Sequence, residues 1–256
     1  RYNGRQTMRT ATYLFVSDLH LDASLPAAVE QFLAFLQGPA READGLYILG
    51  DLFEAWVGDD DPEPCRSRVC EALRAHTAAG HPVWVLRGNR DFLFGEGFEA
   101  RTGCVLLPDP VRVRLGTVDA FVCHGDLLCT DDHAYQGLRS IVRQEDWQAR
   151  FTALPLDARR AIADKARAGS RVHTGRAAYE VMDVNAETVR TAFAASGTTL
   201  MIHGHTHRPG VHTTDVNGKA CTRIVLGDWY AQGSVLRLQD DGRFTLEDLP
   251  RDRLQA

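Results

Sequence analysis

Residues 45–51 read Gly45-Leu-Tyr-Ile-Leu-Gly-Asp51: large apolar side chains in an unbroken run, then a glycine and a carboxylate. A short apolar run bounded by turn residues reads as a strand buried on both faces. The same pattern recurs along the chain. Tyr13-Leu-Phe-Val16 runs into Ser17-Asp18-Leu19-His20, and Val83-Trp-Val-Leu86 leads to Gly88-Asn89-Arg90-Asp91. Ala120 to Cys123 runs into His124-Gly125-Asp126, and Thr199-Leu-Met-Ile202 into His203-Gly-His205-Thr-His207. Ile224-Val-Leu226 ends in Gly227-Asp228.

Between these runs the spacing changes. Ala28, Val29, Phe32, Leu33 and Leu36 recur at helical intervals, so a helix is expected over 27–36. Another is expected over 70–79, stopped by Gly80 and Pro82, and a third over 186–195, opened by Asp183-Val-Asn185 and ended by Gly197. A hairpin is expected around Gly116, and a closing one from 235–238 to 244–246. Strands alternating with helices predict an α/β layered fold. Ligands of such sheets bind beyond the carboxyl ends of the strands. Strand ends that repeatedly carry Asp, Asn and His therefore predict one shared polar site.

Residues 131–182 differ from the rest. They show little strand pattern and many Ala, Arg, Gln and Glu residues. Ile141, Trp147, Phe151 and Leu154 have rough helical spacing, and 158–168 is rich in good helix formers. We expect a helical lid inserted above the site. The core is expected over 8–130 and 183–256, with the polar residues 1–7 as a disordered or appended extension.

Composition narrows the function. The chain has 256 residues, 44% hydrophobic and 25% charged, in the ordinary range of soluble globular domains. Its 29 Lys and Arg against 34 Asp and Glu leave a net charge of -5, without the basic excess expected of a nucleic-acid polyelectrolyte. No apolar run approaches the roughly 20 residues that span a bilayer, and the start lacks the apolar segment of a secretory signal. Six cysteines occur without a Cys-x-x-Cys pair, which fits a reduced, cytoplasmic setting. Ten histidines are many, and they concentrate at the strand ends.

Residues two apart in an extended segment point to the same side. Asp18 with His20, and His205 with His207, can each present a paired face to one ion. Carboxylate, imidazole and an amide oxygen suit dications such as Mn, Fe or Zn. No thiolate falls among these residues, which argues against a structural zinc site. A single Asp-x-His or Gly-Asp is an ordinary turn. Their joint occurrence at successive strand ends points to a metal centre.

The order Asp-x-His, Gly-Asp, Gly-Asn, His and Gly-His-x-His resembles the calcineurin-like metallophosphoesterases. The resemblance implies a four-layer α+β fold, a β-sandwich flanked by helices. It also implies two divalent ions, most simply Mn2+. Carried over by position, one ion takes Asp18, His20, Asp51 and His207. The other takes Asp51, Asn89, His124 and His205, so Asp51 bridges. The longer strings 49–61, 88–93, 124–132 and 202–209 are similar to the family's diphosphate hydrolases of acylated UDP-sugars in lipid A synthesis. That similarity implies attack of an activated water on the α-phosphorus, giving UMP and an acylated sugar 1-phosphate. Another dinuclear phosphodiesterase acting on nucleotide-linked substrates is the alternative.

Arg90 stands where many members carry a histidine. A guanidinium cannot act as an acid near neutral pH, but its planar fork suits phosphate; an ion pair with Asp91 or Asp126 is the competing reading. The resemblance assigns catalytic roles to Asp18, His20, Asp51, Asn89, Arg90 and His124. It assigns substrate contacts to Asn89, Arg90, Asp132, Tyr135, Ser170, Thr174 and His205, with Arg167 and Arg176 as nearby cations. Ala177 stands where a lysine contact is common. His203 is read either as a strand-end hydrogen-bonding residue or as a contact to substrate or ligands. His76, His81, His133, His173 and His212 are expected at the surface or in loops. Lid arginines are expected on phosphates, on an anionic membrane surface or, for most of them, in solvent. Ile141, Trp147, Phe151, Leu154 and Leu156 are expected either to line an acyl cleft or to pack the lid. The expected partners are the substrate and, peripherally, the inner-membrane surface, with the chain a monomer.

Overall fold

The apolar runs become the central strands of two sheets in a computed structural model, which describes residues 10–174 and 183–251 and, within 170–174, the backbone alone. The first sheet takes its parallel strands from β1 (Thr12–Val16), β2 (Gly45–Ile48), β3 (Val83–Val85) and β4 (Val105–Leu106). It is completed on the other side of β1 by the antiparallel hairpin β10 (Gly233–Gln239) and β11 (Phe244–Leu249). The second sheet holds β5 (Val111–Leu115), β6 (Val118–Val122), β7 (Leu200–His203), β9 (Lys219–Val225) and β8 (Gly210–Val216), in that order.

The alternation of strand side chains sorts the core into layers. Leu14 and Val16 point outward, into a cluster with Phe32, Phe35 and Leu36 of α1 (Pro26–Gln37) and Val69 and Leu73 of α2 (Pro64–Ala78). Phe15 points the other way and meets Tyr47, Leu49, Val122, Ile202, Ile224 and Leu236 between the sheets. Phe193 and Val189 of α7 (Ala186–Ser196) cover the far face of the second sheet against Met201 and Cys221. Helix, sheet, sheet and helix make the expected four layers.

Four strands run parallel in the first sheet, β1 to β4, and three in the second, β6, β7 and β9. Their carboxyl ends open onto one rim, and backbone hydrogen bonds join the loops there. Asp18 donates to Gly50 O at 3.1 Å, His20 to Asp51 O at 2.9 Å and Gly204 to His124 O at 2.8 Å. Trp229 donates across the sandwich to Asp18 O at 3.2 Å.

Several elements differ from expectation. Helix α2 begins six residues earlier than the spacing indicates, because Glu63 caps it by accepting from the N–H groups of Cys65 and Arg66. Pro64 then sits at the first helical position, where its missing N–H has no cost. Helix α3 (Glu96–Thr102) and strand β8 were not expected. β8 is a polar, mostly exposed edge strand, so no apolar alternation announces it. The stretch after His124 forms helices α4 (His133–Val142), α5 (Glu145–Thr152) and α6 (Leu156–Thr174). Trp147 stacks on Phe151 with ring centroids 5.0 Å apart, and Phe151 is buried in the cluster beneath α1 and α2. Arg159, 2% exposed, donates to Asp60 at 2.7 and 2.5 Å and to Val57 O at 2.8 Å.

His76, expected at the surface, is 2% exposed. Its Nδ1 lies 3.1 Å from Leu36 O, and its ring stacks on His81. Burial and the neighbouring His81 push it down to about 4. An unfolded chain would bind that proton near the ordinary value, 6.5. Between these limits the unfolded state holds more protons, so acid removes the stability His76 contributes. In urea titrations, the stability advantage of the parent over His76→Gln should shrink by up to about 1.4 kcal/mol per pH unit below 6.5. An equal gap at neutral and mildly acidic pH would contradict this.

Candidate metal centre

The rim brings all seven residues of the expected ligand set together. Among the described residues, two groups converge tightly enough to hold an ion: Asp18, His20 and His207, and Asp18, Asp51 and His124. The Nε2 atoms of His20 and His207 lie 3.2 Å apart, and Asp18 Oδ1 lies 3.3 Å from His207 Nε2. Asp51 faces both groups, its Oδ2 3.9 Å from His20 Nε2 and its Oδ1 3.9 Å from His124 Nε2. Asn89 Oδ1 sits 2.9 Å from both His124 Nε2 and His205 Nδ1.

The backbone is unusual at these positions. Asp18, His20, Asp51, His205 and His207 all have positive φ, between 49° and 66°. Such left-handed non-glycine residues cost on the order of 1–3 kcal/mol each and gather at functional sites. Asp and His tolerate the region better than most residues. Two glycines allow the loops to close. Gly50 has φ 91°, and a Cβ there would come within 2.7 Å of His124 Nδ1. A Cβ on Gly88 would collide with Asp51.

Charge balance shows what the donor set lacks. Asp18, His20, Asp51 and His124 are each at most 2% exposed, and Asp18 Oδ1 is buried without a hydrogen-bond partner. Burial opposes charge on His124, but Asp51 and Asp18 outweigh it and push the imidazole up to about 9. Burial likewise opposes charge on Asp18, yet His207 and His124 hold its carboxyl far below the usual range. Burial and His124 push His205 down to about 4. Carboxylates, an amide oxygen and imidazole nitrogens that crowd around an orphaned oxygen fit divalent cations.

The other expected residues divide. Arg90 donates its backbone N–H to Asp51 Oδ1 at 2.8 Å, and its Nε is buried without a partner. The competing ion pairs do not form. Asp91 instead accepts from Gly88 N, Asp51 N, Leu52 N and Phe53 N at 2.8, 3.2, 2.7 and 3.4 Å. Asp126 takes the Tyr135 hydroxyl at 2.7 Å and Arg139 at 2.8 Å. Tyr135 lies beside the centre, its ring 5.8 Å from His205. Asp132 is buried and caps α4 by accepting from Tyr135 N. Arg167 pairs with Asp164, keeps a buried, unpartnered Nε and helps lower the Glu54 and Asp22 carboxyls. Ser170 and Thr174 fall on the last turns of α6, where side chains lie outside the described set, and Arg176 and Ala177 lie outside the described residues altogether. His203 is fully buried, with Nδ1 2.8 Å from Gly204 O and Nε2 3.0 Å from Arg223, so it supports the Gly-His-Thr-His loop from below.

Several lid arginines expected on phosphates, on a membrane surface or in solvent are held by the core: Arg139 on Asp126, Arg143 on Gly88 O at 2.9 Å, Arg159 on Asp60 and Arg160 on Asp61. Four functional neighbours escaped the sequence reading. Glu54 Oε2 lies 3.2 Å from His20 Nδ1, and Asp228 Oδ2 lies 3.4 Å from His207 Nδ1. Asp91 accepts from the Asp51 N–H, and the Asp126 charge adds to the upward push on His124. Asp91 and Asp126 stand inside strings quoted for other reasons; nothing in the spacing marks Glu54.

The chain is similar to several known proteins. The family model of calcineurin-like phosphoesterases matches residues 11–209. A UDP-2,3-diacylglucosamine hydrolase of Stenotrophomonas maltophilia (strain K279a) is 50% identical over 248 residues, 94% of this chain and 100% of its own. A protein of the same name from Xanthomonas oryzae pv. oryzae (strain PXO99A) is 50% identical over 238 residues, 90% of this chain and 96% of its own. A solved structure described as a novel archaeal phosphodiesterase covers 93% of this chain and 99% of its own, with a TM-score of 0.48 and 13% identity.

The Asp91 carboxylate ties the loop carrying Asp51 to the loop carrying Asn89. Asp91→Ala leaves those buried N–H groups unsatisfied, at about 1–3 kcal/mol per group. Chemical denaturation should show a loss of at least about 3 kcal/mol, with a smaller loss for Asp91→Asn. A loss below about 1 kcal/mol would contradict the role.

Proposed function

The chain belongs to the calcineurin-like phosphoesterase family, and from that premise we propose that it hydrolyses the diphosphate bond of UDP-2,3-diacylglucosamine, giving UMP and 2,3-diacylglucosamine 1-phosphate. The identity of about half of all positions with hydrolases of that name, over nearly the whole chain, supports the substrate. The observation that carries the chemistry is Asp51, whose two oxygens face two separate histidine groups.

Under this reading Asp18, His20, Asp51 and His207 hold one divalent ion, and Asp51, Asn89, His124 and His205 hold the other. Mn2+ suits the mixed oxygen and imidazole donors. Bound there, two dications supply an activated water and neutralise charge developing at phosphorus. The protein does the rest. Asn89 and His205 stand where the reacting phosphoryl group would sit. Arg90, its Nε buried and unspent, is placed to clamp the diphosphate. It cannot protonate a leaving group, and a sugar phosphate needs no such help, unlike an alkoxide. His20, His124 and His207 keep their ligating nitrogens turned inward because Glu54, Leu49 O and Asp228 take the other side of each ring.

The segment 131–182 acts as a lid over this centre, with 8–130 and 183–256 as the core. Arg167 reaches the diphosphate from α6, and Tyr135 and Asp132 shape the wall nearest His205. The family resemblance alone supports Ser170, Thr174 and Arg176 as further substrate contacts. The apolar side chains Trp147, Phe151 and Leu156 pack inward, whereas Leu138, Ile141, Leu154 and Ile162 are 38–53% exposed. Those exposed apolar side chains support the docking of an acylated substrate from a membrane surface. We place the protein in the cytoplasm as a monomer, at the periphery of the inner membrane; no helix among the described residues is long and apolar enough to cross one.

The test is a substrate comparison. Purified protein with Mn2+ should turn over the diacylated UDP-sugar far faster than p-nitrophenyl phosphodiesters, and Asp18→Ala should abolish it. Arg90→Ala should lower kcat/KM by roughly 10- to 100-fold, the worth of a charge-assisted hydrogen bond to phosphate. Equal turnover of both substrates would overturn the assignment and point to a general phosphodiesterase.

A further inference from the structure

One strand end has no place in the ligand set. The loop after β9 reads Gly227-Asp-Trp-Tyr230, and it lies against two histidines of a single ion's group. Tyr230 stacks flat on His20, with ring centroids 5.0 Å apart and planes 5° apart. The same ring lies 5.8 Å from that of His207 at a tilt of 52°. Asp228 Oδ2 is 3.4 Å from His207 Nδ1, while its Oδ1 accepts from Tyr230 N at 3.0 Å.

The loop is firmly held. Trp229 is fully buried, edge-on to Phe32 and Phe35 of α1, and its Nε1 donates to Ser234 O at 3.2 Å. Arg251 donates to Trp229 O at 2.9 Å and Tyr230 O at 2.5 Å. A buried anchor therefore sits between two side chains that reach the same pair of histidines. No comparable contact from this loop reaches His124, Asn89 or His205 among the described residues.

We propose that Asp228 and Tyr230 are positioning residues for one ion of the pair only. They hold His207 and His20 in their ligating orientations, by a carboxylate behind one ring and an aromatic face against the other. The inference rests on the dinuclear assignment above and adds an asymmetry to it: the ion at Asp18, His20, Asp51 and His207 depends on this loop, and the other does not. Partners that orient metal-ligating histidines typically govern metal affinity by 10- to 100-fold.

The test is calorimetric titration of metal-stripped protein with Mn2+. The parent should bind two ions. Tyr230→Ala and Asp228→Ala should each weaken one site by about 10- to 100-fold and leave the other unchanged. Tyr230→Phe, which keeps the stacked ring, should match the parent, and Asp228→Asn should fall between. Melting of the metal-free variants guards against a general loss of structure; Tyr230 is 41% exposed, so its truncation should leave that melting near the parent's. Equal weakening of both sites, or of neither, would overturn the proposal. His20→Ala separates the two claims. If it removes one ion while the loop variants bind as the parent does, the loop inference alone fails. If it still binds two ions, the ligand assignment itself fails.

Discussion

The Asp51 carboxylate is the point on which the structure turns. It is 2% exposed, lies at the end of a central parallel strand and faces a histidine group with each oxygen. A carboxylate in that position would be costly to bury if nothing answered its charge. Neighbouring histidines answer it, and the N–H of Arg90 meets Oδ1. Asp91, four backbone N–H groups in hand, fixes the loop from beneath. Burial and the nearby Asp51 charge push Asp91 itself up to about 7, so two acids are held close together at a local electrostatic cost. Stored cost of this kind at strand ends is what a cation would relieve.

The fold serves that concentration of charge. Two sheets packed face to face bring the ends of their parallel strands onto one rim, so residues nearly two hundred positions apart, such as Asp18 and His205, share a hydrogen bond of 2.8 Å. Left-handed backbone at five polar residues turns each loop back at once and aims its side chain inward. The helical segment α4–α6 is joined to the same rim. Arg139 of α4 and Arg143 at its C-terminal cap reach Asp126, and Arg143 also reaches Gly88 O beside Asn89. The wall above the centre and the ligand loops below it are thus electrostatically continuous.

Much of this was legible in the sequence, for physical reasons. Apolar runs such as 45–49 can only be inner strands, and a run of such strands ending in Asp, Asn or His implies a shared rim. The alternation that hides Phe15 between the sheets and Leu14 under α1 follows from the period of a strand. What stayed hidden was long-range or polar. Strand β8 carries threonines and a histidine on an exposed edge and has no periodic signal. The partners of Arg159 and Arg160 lie about a hundred residues away, so their charges read as available until the fold paired them. Glu54, Asp228 and Tyr230 act through histidines that only the fold brings near. His76 looked like a surface residue because the early turns of α2 were not recognised; with the helix extended to Pro64, it faces α1.

The central claim is geometric: one carboxylate joins two ions at the rim. It is tested most directly by a crystal of the protein grown with Mn2+ and measured at the manganese absorption edge. The account predicts two anomalous peaks, roughly 3.5–4 Å apart, on either side of the Asp51 carboxylate, one near His20 and His207 and one near Asn89, His124 and His205. A single peak, or two peaks that do not share Asp51, would contradict it.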